Sequence, residues 1–225
     1  MNRTYFTHSL TKKYLAIVGS LFTDYHILKD GKFIIVPVSY GGKNKLIQRY
    51  VRRDISFKGV QMTLPRIAME FNSFTYDTER KLNRIHQFVS DNNATSKKSI
   101  YTPVPYNIDV QISVIANKNN DVTQIIEQIL PKFTPDIKIS SNLVPENDIN
   151  MDISLCLNSA SFHDGYEGLM TDDRMITWDL NFTLKAYYFR EIKEPKIILE
   201  ETLNCFDFDD REVPQFSITV TANTI

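Results

Sequence analysis

The sequence predicts an α+β fold in which a largely antiparallel or mixed β-sheet packs against a few helices. Three observations lead there. Segments of apolar/polar alternation fill much of the chain, only three segments show the three-and-four spacing of a buried helix face, and the two kinds are segregated instead of taking turns as they would around a parallel sheet. That gives about three helices and eight or nine strands. A chain of 225 residues, 42% of them hydrophobic, can bury a sizeable core in one domain. We expect a single α+β domain over 1–190, extended by the C-terminal strands of 191–225.

From the N-terminus, Leu10, Tyr14, Ile17, Val18, Leu21 and Phe22 share one face of a helix spanning about Thr7 to Phe22. YHILKDGKFIIVPVSY then reads as a hairpin around Asp30-Gly31, a dipeptide that tolerates the positive φ angles of a tight turn. In GGKNKLIQRYVRRD, Leu46, Ile47, Tyr50 and Val51 form the stripe of a short helix whose remaining surface is basic. RIAMEFNSFTYD alternates through Ile67, Met69 and Phe71 and then shifts phase, predicting a strand with a bulge near Asn72-Ser73. Residues Ser90 to Pro105 turn polar without period, which predicts a surface loop. A strand over Tyr106–Ala116 leads to a helix from about Asp121, with Ile125, Ile126, Ile129 and Leu130 inward and Pro131 ending it. Each of these isoleucines contributes ~1.5 to 3 kcal/mol of transfer energy on burial. Beyond Pro135, DIKIS, MDISLCLNSASF, RMITWDLNFTLKAYYF, KIILEETLN and FSITVTANT are strands separated by polar turns.

The balance of 26 basic and 27 acidic residues leaves a formal charge of −1, so no global field draws the chain to nucleic acid or an anionic membrane. Cys156 and Cys205 have neither the number of a disulfide framework nor metal-ligand spacing, which fits a reducing compartment. No stretch approaches the ~20 apolar residues of a membrane span, and the N-terminus lacks the apolar core of a signal peptide. A soluble protein made in a cytoplasm is expected.

Chemistry-bearing patterns are sparse. SFHDGYEGLMTDDR gathers His163, Asp164, Glu167, Asp172 and Asp173 in one glycine-containing loop, which raises a metal-assisted hydrolase using His163, Asp172 and Asp173 against the plainer reading of a solvated acidic turn. FDFDDRE, residues 206–212, lacks the glycine and glutamate spacing of a calcium loop and reads as an exposed acidic linker. There is no G-x-S-x-G elbow and no glycine-rich phosphate loop. The strongest electrostatic feature is the basic segment 43–58. Its Lys43, Lys45, Arg49, Arg52 and Arg53 are candidates for a partner or channel surface, or for a nucleic-acid-binding module, against the plain alternative of a solvated helix face.

Longer words carry more. LPRI followed by YD and RKLN in LPRIAMEFNSFTYDTERKLN, and EQILPKFTPD after a strand and polar turn, lie in an ordered series that runs from Tyr5 to Phe189. In this series the chain resembles the tail sheath stabiliser, or tail completion, family of T4-like contractile-tailed bacteriophages. The resemblance implies a structural virion protein without enzymatic activity, cofactor or bound metal. It implies a ring-forming subunit: a homo-hexamer capping the head-proximal end of the tail tube and contractile sheath and forming the docking surface for the neck. Implied partners are the tail sheath protein, the tail tube or a tube-terminator protein, neck proteins of the head and the genomic DNA passing through the ring, with no membrane. Its place would be the virion tail, after assembly in the host cytoplasm. A cyclic head-to-tail interface closes only if each subunit repeats the same rotation, so the strand and helix of VPYNIDVQISVIANKNNDVTQIIEQILPKF would serve by stiffness. Arg66, Tyr76, Asp77, Arg80 and Asn83 belong to the strongest family word, and Asp77 with Arg80 is expected to brace a turn, worth ~0 to 1 kcal/mol if exposed.

Overall fold

The computed structural model describes residues 5–29, 31–51, 63–93, 96–165, 175–194, 200–205 and 216–221. Along them run α1 (Leu10–Leu21), β1 (His26–Lys29), β2 (Lys32–Ile35), β3 (Val38–Tyr40), α2 (Lys43–Val51), β4 (Arg66–Tyr76), β5 (Gln87–Asn93), β6 (Ser96–Tyr101), β7 (Val104–Ala116), α3 (Asn119–Ile129), β8 (Asp136–Val144), β9 (Ile149–Gly165), β10 (Met175–Tyr188), β11 (Glu200–Cys205) and β12 (Phe216–Thr221). The three expected α-helices are present. The described residues form twelve strands where eight or nine were expected, the additions being β3, β5 and β6.

Six strands form one sheet in the order β3-β4-β7-β10-β9-β8. All neighbours are antiparallel except β3 and β4, so the sheet is mixed. Its centre is the pair β7 and β10, in register from Val104 opposite Tyr188 to Ala116 opposite Ile176. Successive side chains of a strand point to opposite faces, and the two faces here differ sharply. Ile108, Val110, Ile112, Val114, Ile176, Leu180, Phe182 and Leu184 are buried on one of them, in a single cluster with Leu10, Tyr14 and Val18 of α1 and Val122, Ile125 and Ile129 of α3. The other carries Asn107, Asp109, Gln111 and Ser113 of β7 and Thr177, Asp179, Asn181 and Thr183 of β10. Its short polar side chains bond to one another, as from Asn181 to Ser159 (3.1 Å), Asn158 to Thr183 (2.7 Å) and Ser154 to Asp136 (2.8 Å). Among the described helices only α2 packs on that face, where Leu46 meets Ala68 and Ile115.

The expected bulge in β4 is present, the register with β7 shifting between Phe71 and Ser73. A second shift lies between β10 and β9 at Asn181/Phe182, leaving Asn158 as the extra residue. They flank Val110 on opposite sides of the central pair, the first between the partners of Val110 and Asp109 and the second between those of Val110 and Gln111. Asn72, at the first bulge, donates its side-chain amide to Gln111 (3.0 Å), as Asn158 does to Thr183.

Three two-stranded hairpins complete the described fold: β1–β2, β5–β6 and β11–β12. In the first, Gly31 takes φ 75°, the left-handed value the tight turn requires. The second overturns the expected loop over Ser90 to Pro105, since β5 and β6 pair from Gln87 opposite Tyr101 to Asn93 opposite Ser96. It escaped the periodicity reading because SKKSIY shows no alternation. What anchors β6 is Ile100, fully buried, and two backbone bonds of 2.8 Å between Ser99 and Lys193.

Ile112 sits fully buried in the middle of β7. Truncating a core isoleucine leaves a cavity and costs about 2 to 5 kcal/mol. Ile112→Ala should therefore lower the unfolding free energy from a denaturant titration by that amount without changing the slope, whereas Thr183→Ala on the polar face should lower it by less than about 1 kcal/mol.

Candidate partner-contact surfaces

The basic helix α2 begins where the chain turns tightly over β4. Gly41 adopts φ 142°, its N–H bonds to the Met69 carbonyl (2.9 Å), and a Cβ on Gly42 would stand 2.6 Å from a Glu70 carboxylate oxygen. Leu46 is buried and Ile47 partly so. With that face down, the basic side chains separate into two kinds. Lys45 and Arg49 are exposed. Lys43 turns inward, its Nζ 2.6 Å from Asp179 Oδ2, with side-chain exposures of 24% and 8%. Arg52 and Arg53 lie outside the described residues.

Asp179 is the buried charge around which this end of the polar face is arranged. One carboxylate oxygen receives Lys43, the other the Ser113 hydroxyl (2.6 Å), and His163 Nε2 stands 3.6 Å away. An unpaired buried carboxylate is costly, and these donors offset that cost. Nothing in the spacing of Lys43, Ser113 and Asp179 along the chain announced the cluster. His163 and Asp164, expected in a loop, stand instead on β9, and the His163 side chain is 61% exposed. Glu167, Asp172, Asp173 and the acidic 206–212 segment lie outside the described residues. Among the described residues no three metal-capable side chains converge.

The family word forms a brace at the opposite end of the sheet. Asp77 Oδ1 accepts the backbone N–H groups of Glu79 (3.0 Å) and Arg80 (3.2 Å), and Oδ2 accepts Arg80 Nε (2.6 Å). The same guanidinium donates to the Tyr106 carbonyl (3.2 Å) and to Asn107 Oδ1 (2.8 Å) and lies 5.1 Å from the centre of the Tyr187 ring. The pair is more than a local turn: it ties the end of β4 to β7 and β10. Tyr76 meets Tyr106 edge-on, Tyr106 meets Tyr188, and Tyr188 meets the buried Tyr14 of α1. The Tyr14 hydroxyl donates to the Tyr187 carbonyl and accepts its N–H, and burial pushes its pKa upward. Asn83 shapes the next turn, its side chain accepting the Ile85 N–H (3.1 Å) and its carbonyl the Thr102 hydroxyl (2.6 Å). Arg66 donates to Ser39 (2.9 Å) across the β3–β4 edge.

Apolar exposure is concentrated on and beside the two-stranded hairpins. Ile85 is 83% exposed just before β5, with Phe88 and Val89 on β5 itself, and Phe33 and Ile35 of β2 are 78% and 61% exposed. Leu203 and Ile218 face water on β11 and β12. The alternation rule sees these residues only as strand formers. These strands belong to two-stranded hairpins separate from the six-stranded sheet.

Residues 5–225 match the family described as the T4-like virus Myoviridae tail sheath stabiliser. Among curated proteins the chain is 28% identical over 221 residues to the tail completion protein gp15 of Enterobacteria phage T4, covering 93% of this chain and 81% of that protein. The match extends past Phe189, where the family words ended, through the C-terminal strands.

The hydrogen bond from Arg80, helped by the two backbone donors, lowers the Asp77 pKa from 3.8 to about 2. A depressed carboxylate stabilises the fold above its unfolded pKa and ceases to do so as pH falls through the folded one. The thermal-midpoint difference between wild type and Asp77→Asn should be constant above pH ~5 and close between pH ~4 and ~2. Arg80→Ala should cost about 1 kcal/mol at neutral pH, since it leaves partly buried acceptors to be satisfied by water.

Proposed function

The chain belongs to the T4-like tail sheath stabiliser family, a family of structural tail proteins and not of enzymes, and on that premise we propose that six copies form a ring closing the head-proximal end of the tail. Its place is the virion tail; folding and ring closure take place in the host cytoplasm. In this reading one face of the ring holds the last layer of the contractile sheath and the end of the tail tube or its terminator. The other face receives the neck of the head, and the genomic DNA passes through the opening.

The observation that supports ring formation most directly is the exposed apolar surface on the hairpins of an otherwise firmly packed body. Soluble monomers seldom expose clustered large apolar side chains without a partner for them. The β-sheet with α1 and α3 supplies the stiffness, and the Asp77–Arg80 brace ties the end of β4 to β7 and β10. Electrostatics would add orientation, with exposed Lys45 and Arg49 meeting an acidic surface of a tail or neck protein. A nucleic-acid-binding module on 43–58 has less behind it, because Lys43 is committed to Asp179 and only Lys45 and Arg49 among the described basic residues of α2 face water.

Native mass measured over a range of concentrations, with electron microscopy of the same samples, tests the ring. The expected species has six times the 26.1 kDa chain mass and a central hole; a chain that stays monomeric with purified tails present contradicts it. Lys45→Glu with Arg49→Glu should leave the thermal midpoint and ring mass unchanged while lowering the yield of joined heads and tails severalfold.

A further inference from the structure

The two edges of the β1–β2 hairpin are treated differently. On the β1 side, two glutamines one turn apart on α3 act as a substitute strand. Gln124 receives the Leu28 N–H (2.8 Å) and donates to its carbonyl (3.4 Å), and Gln128 does the same for His26 (3.5 and 2.7 Å). In an antiparallel pair, residues facing one another turn their backbone groups either both inward or both outward. Since His26 and Leu28 turn theirs out towards α3, their register partners Ile35 and Phe33 turn theirs out on the far side. There, no described residue bonds to them. An edge with free backbone groups is a template for another strand, and folds that do not use such an edge blunt it with charge, proline or a cover. Here one edge is covered, while the other runs Lys32-Phe33-Ile34-Ile35 with its apolar side chains in water.

The chain also carries a matching piece. β11 and β12 pair only with each other among the described strands, and two strands alone are marginal in water. Leu203 and Ile218 are register partners, 56% and 49% exposed, and so form an apolar face like that of Leu28, Phe33 and Ile35. The charges are opposite: β1 and β2 bear Lys29 and Lys32 and no acid, while β11 bears Glu200 and Glu201 and neither β11 nor β12 a base.

We propose that the free edge of β2 pairs with the β11–β12 hairpin of a neighbouring copy, so that two hairpins become one four-stranded sheet across the subunit boundary with their apolar faces continuous. Using one hairpin as donor and the other as acceptor makes the contact head-to-tail, the kind a ring needs. The inference rests on the ring reading given above and specifies its interface.

Phe33→Pro tests it. Proline removes an N–H that points away from β1, so the hairpin ladder is kept while the outer edge is blocked. Self-association should weaken at least tenfold, with an unchanged circular dichroism spectrum. Leu203→Asp with Ile218→Asp should do likewise. A mixture of the two variants should then give 1:1 dimers and nothing larger, each keeping one sound surface. Should Phe33→Pro unfold the chain, charge exchange decides: Lys32→Glu should weaken association and Glu201→Lys in the same chain restore it. Rings that persist in both the edge-blocked and the apolar-face variants overturn this interface and leave the ring intact. A mixture without heterodimers, or a second reversal that restores nothing, overturns the head-to-tail pairing. A wild-type chain that never associates overturns both readings.

Discussion

The antiparallel register between β7 and β10, held from Val104 opposite Tyr188 to Ala116 opposite Ile176, is the constraint on which the remaining structure depends. A slip of β10 by one residue against β7 would carry Leu180 into water and Asp179 into the core. With the register set, α1 and α3 have one apolar surface to cover, and Asp179 falls opposite Ser113, within reach of Lys43 from α2. The same register brings Tyr106 and Tyr188 together at the other end, where Tyr14 and Arg80 close over the strand termini. Helix docking, the buried ion pair and the tyrosine contacts all follow from one alignment.

What could be read from the residues alone divides along physical lines. Elements that bury one face declare themselves through period, which is why α1, β4 with its bulge, β7 and α3 are legible in the chain. Asn72 and Ser73 break the phase of RIAMEFNSFTYD at the place where the register shifts. The strands β5 and β6 lie outside the six-stranded sheet, and the one buried apolar residue described on β6, Ile100, is too little to impose a period on SKKSIY. Long-range polar pairing is likewise silent: Lys43 in a basic stretch gives no sign of a partner on β10, and Gln124 and Gln128 look like ordinary helix-surface residues until β1 is beside them. The family word is legible as a word, but its work as a three-strand brace emerges only when Arg80 is seen to reach Tyr106, Asn107 and Tyr187.

The division of labour between charge and apolar surface bears on assembly. The best-made ion pairs of the described residues, Lys43 with Asp179 and Asp77 with Arg80, are internal and fix parts of one subunit to each other. The most exposed large apolar side chains, apart from Tyr5 near the N-terminus, stand on or beside the two-stranded hairpins and the short edge strand β3. Apolar contact is non-directional and gains its geometry from whatever holds the patches. A protein built in this way keeps its charge pairing in its frame and its exposed apolar surface at its periphery.

The two asparagine bulges flank Val110 on either side of the central strands, and each one introduces extra local twist. Each inserted residue bends its own strand between the region around Asp179 and the region around Arg80. Because each bend comes from one residue more than the partner strand has, deleting Asn72 or Asn158 would restore one-to-one pairing and straighten that strand.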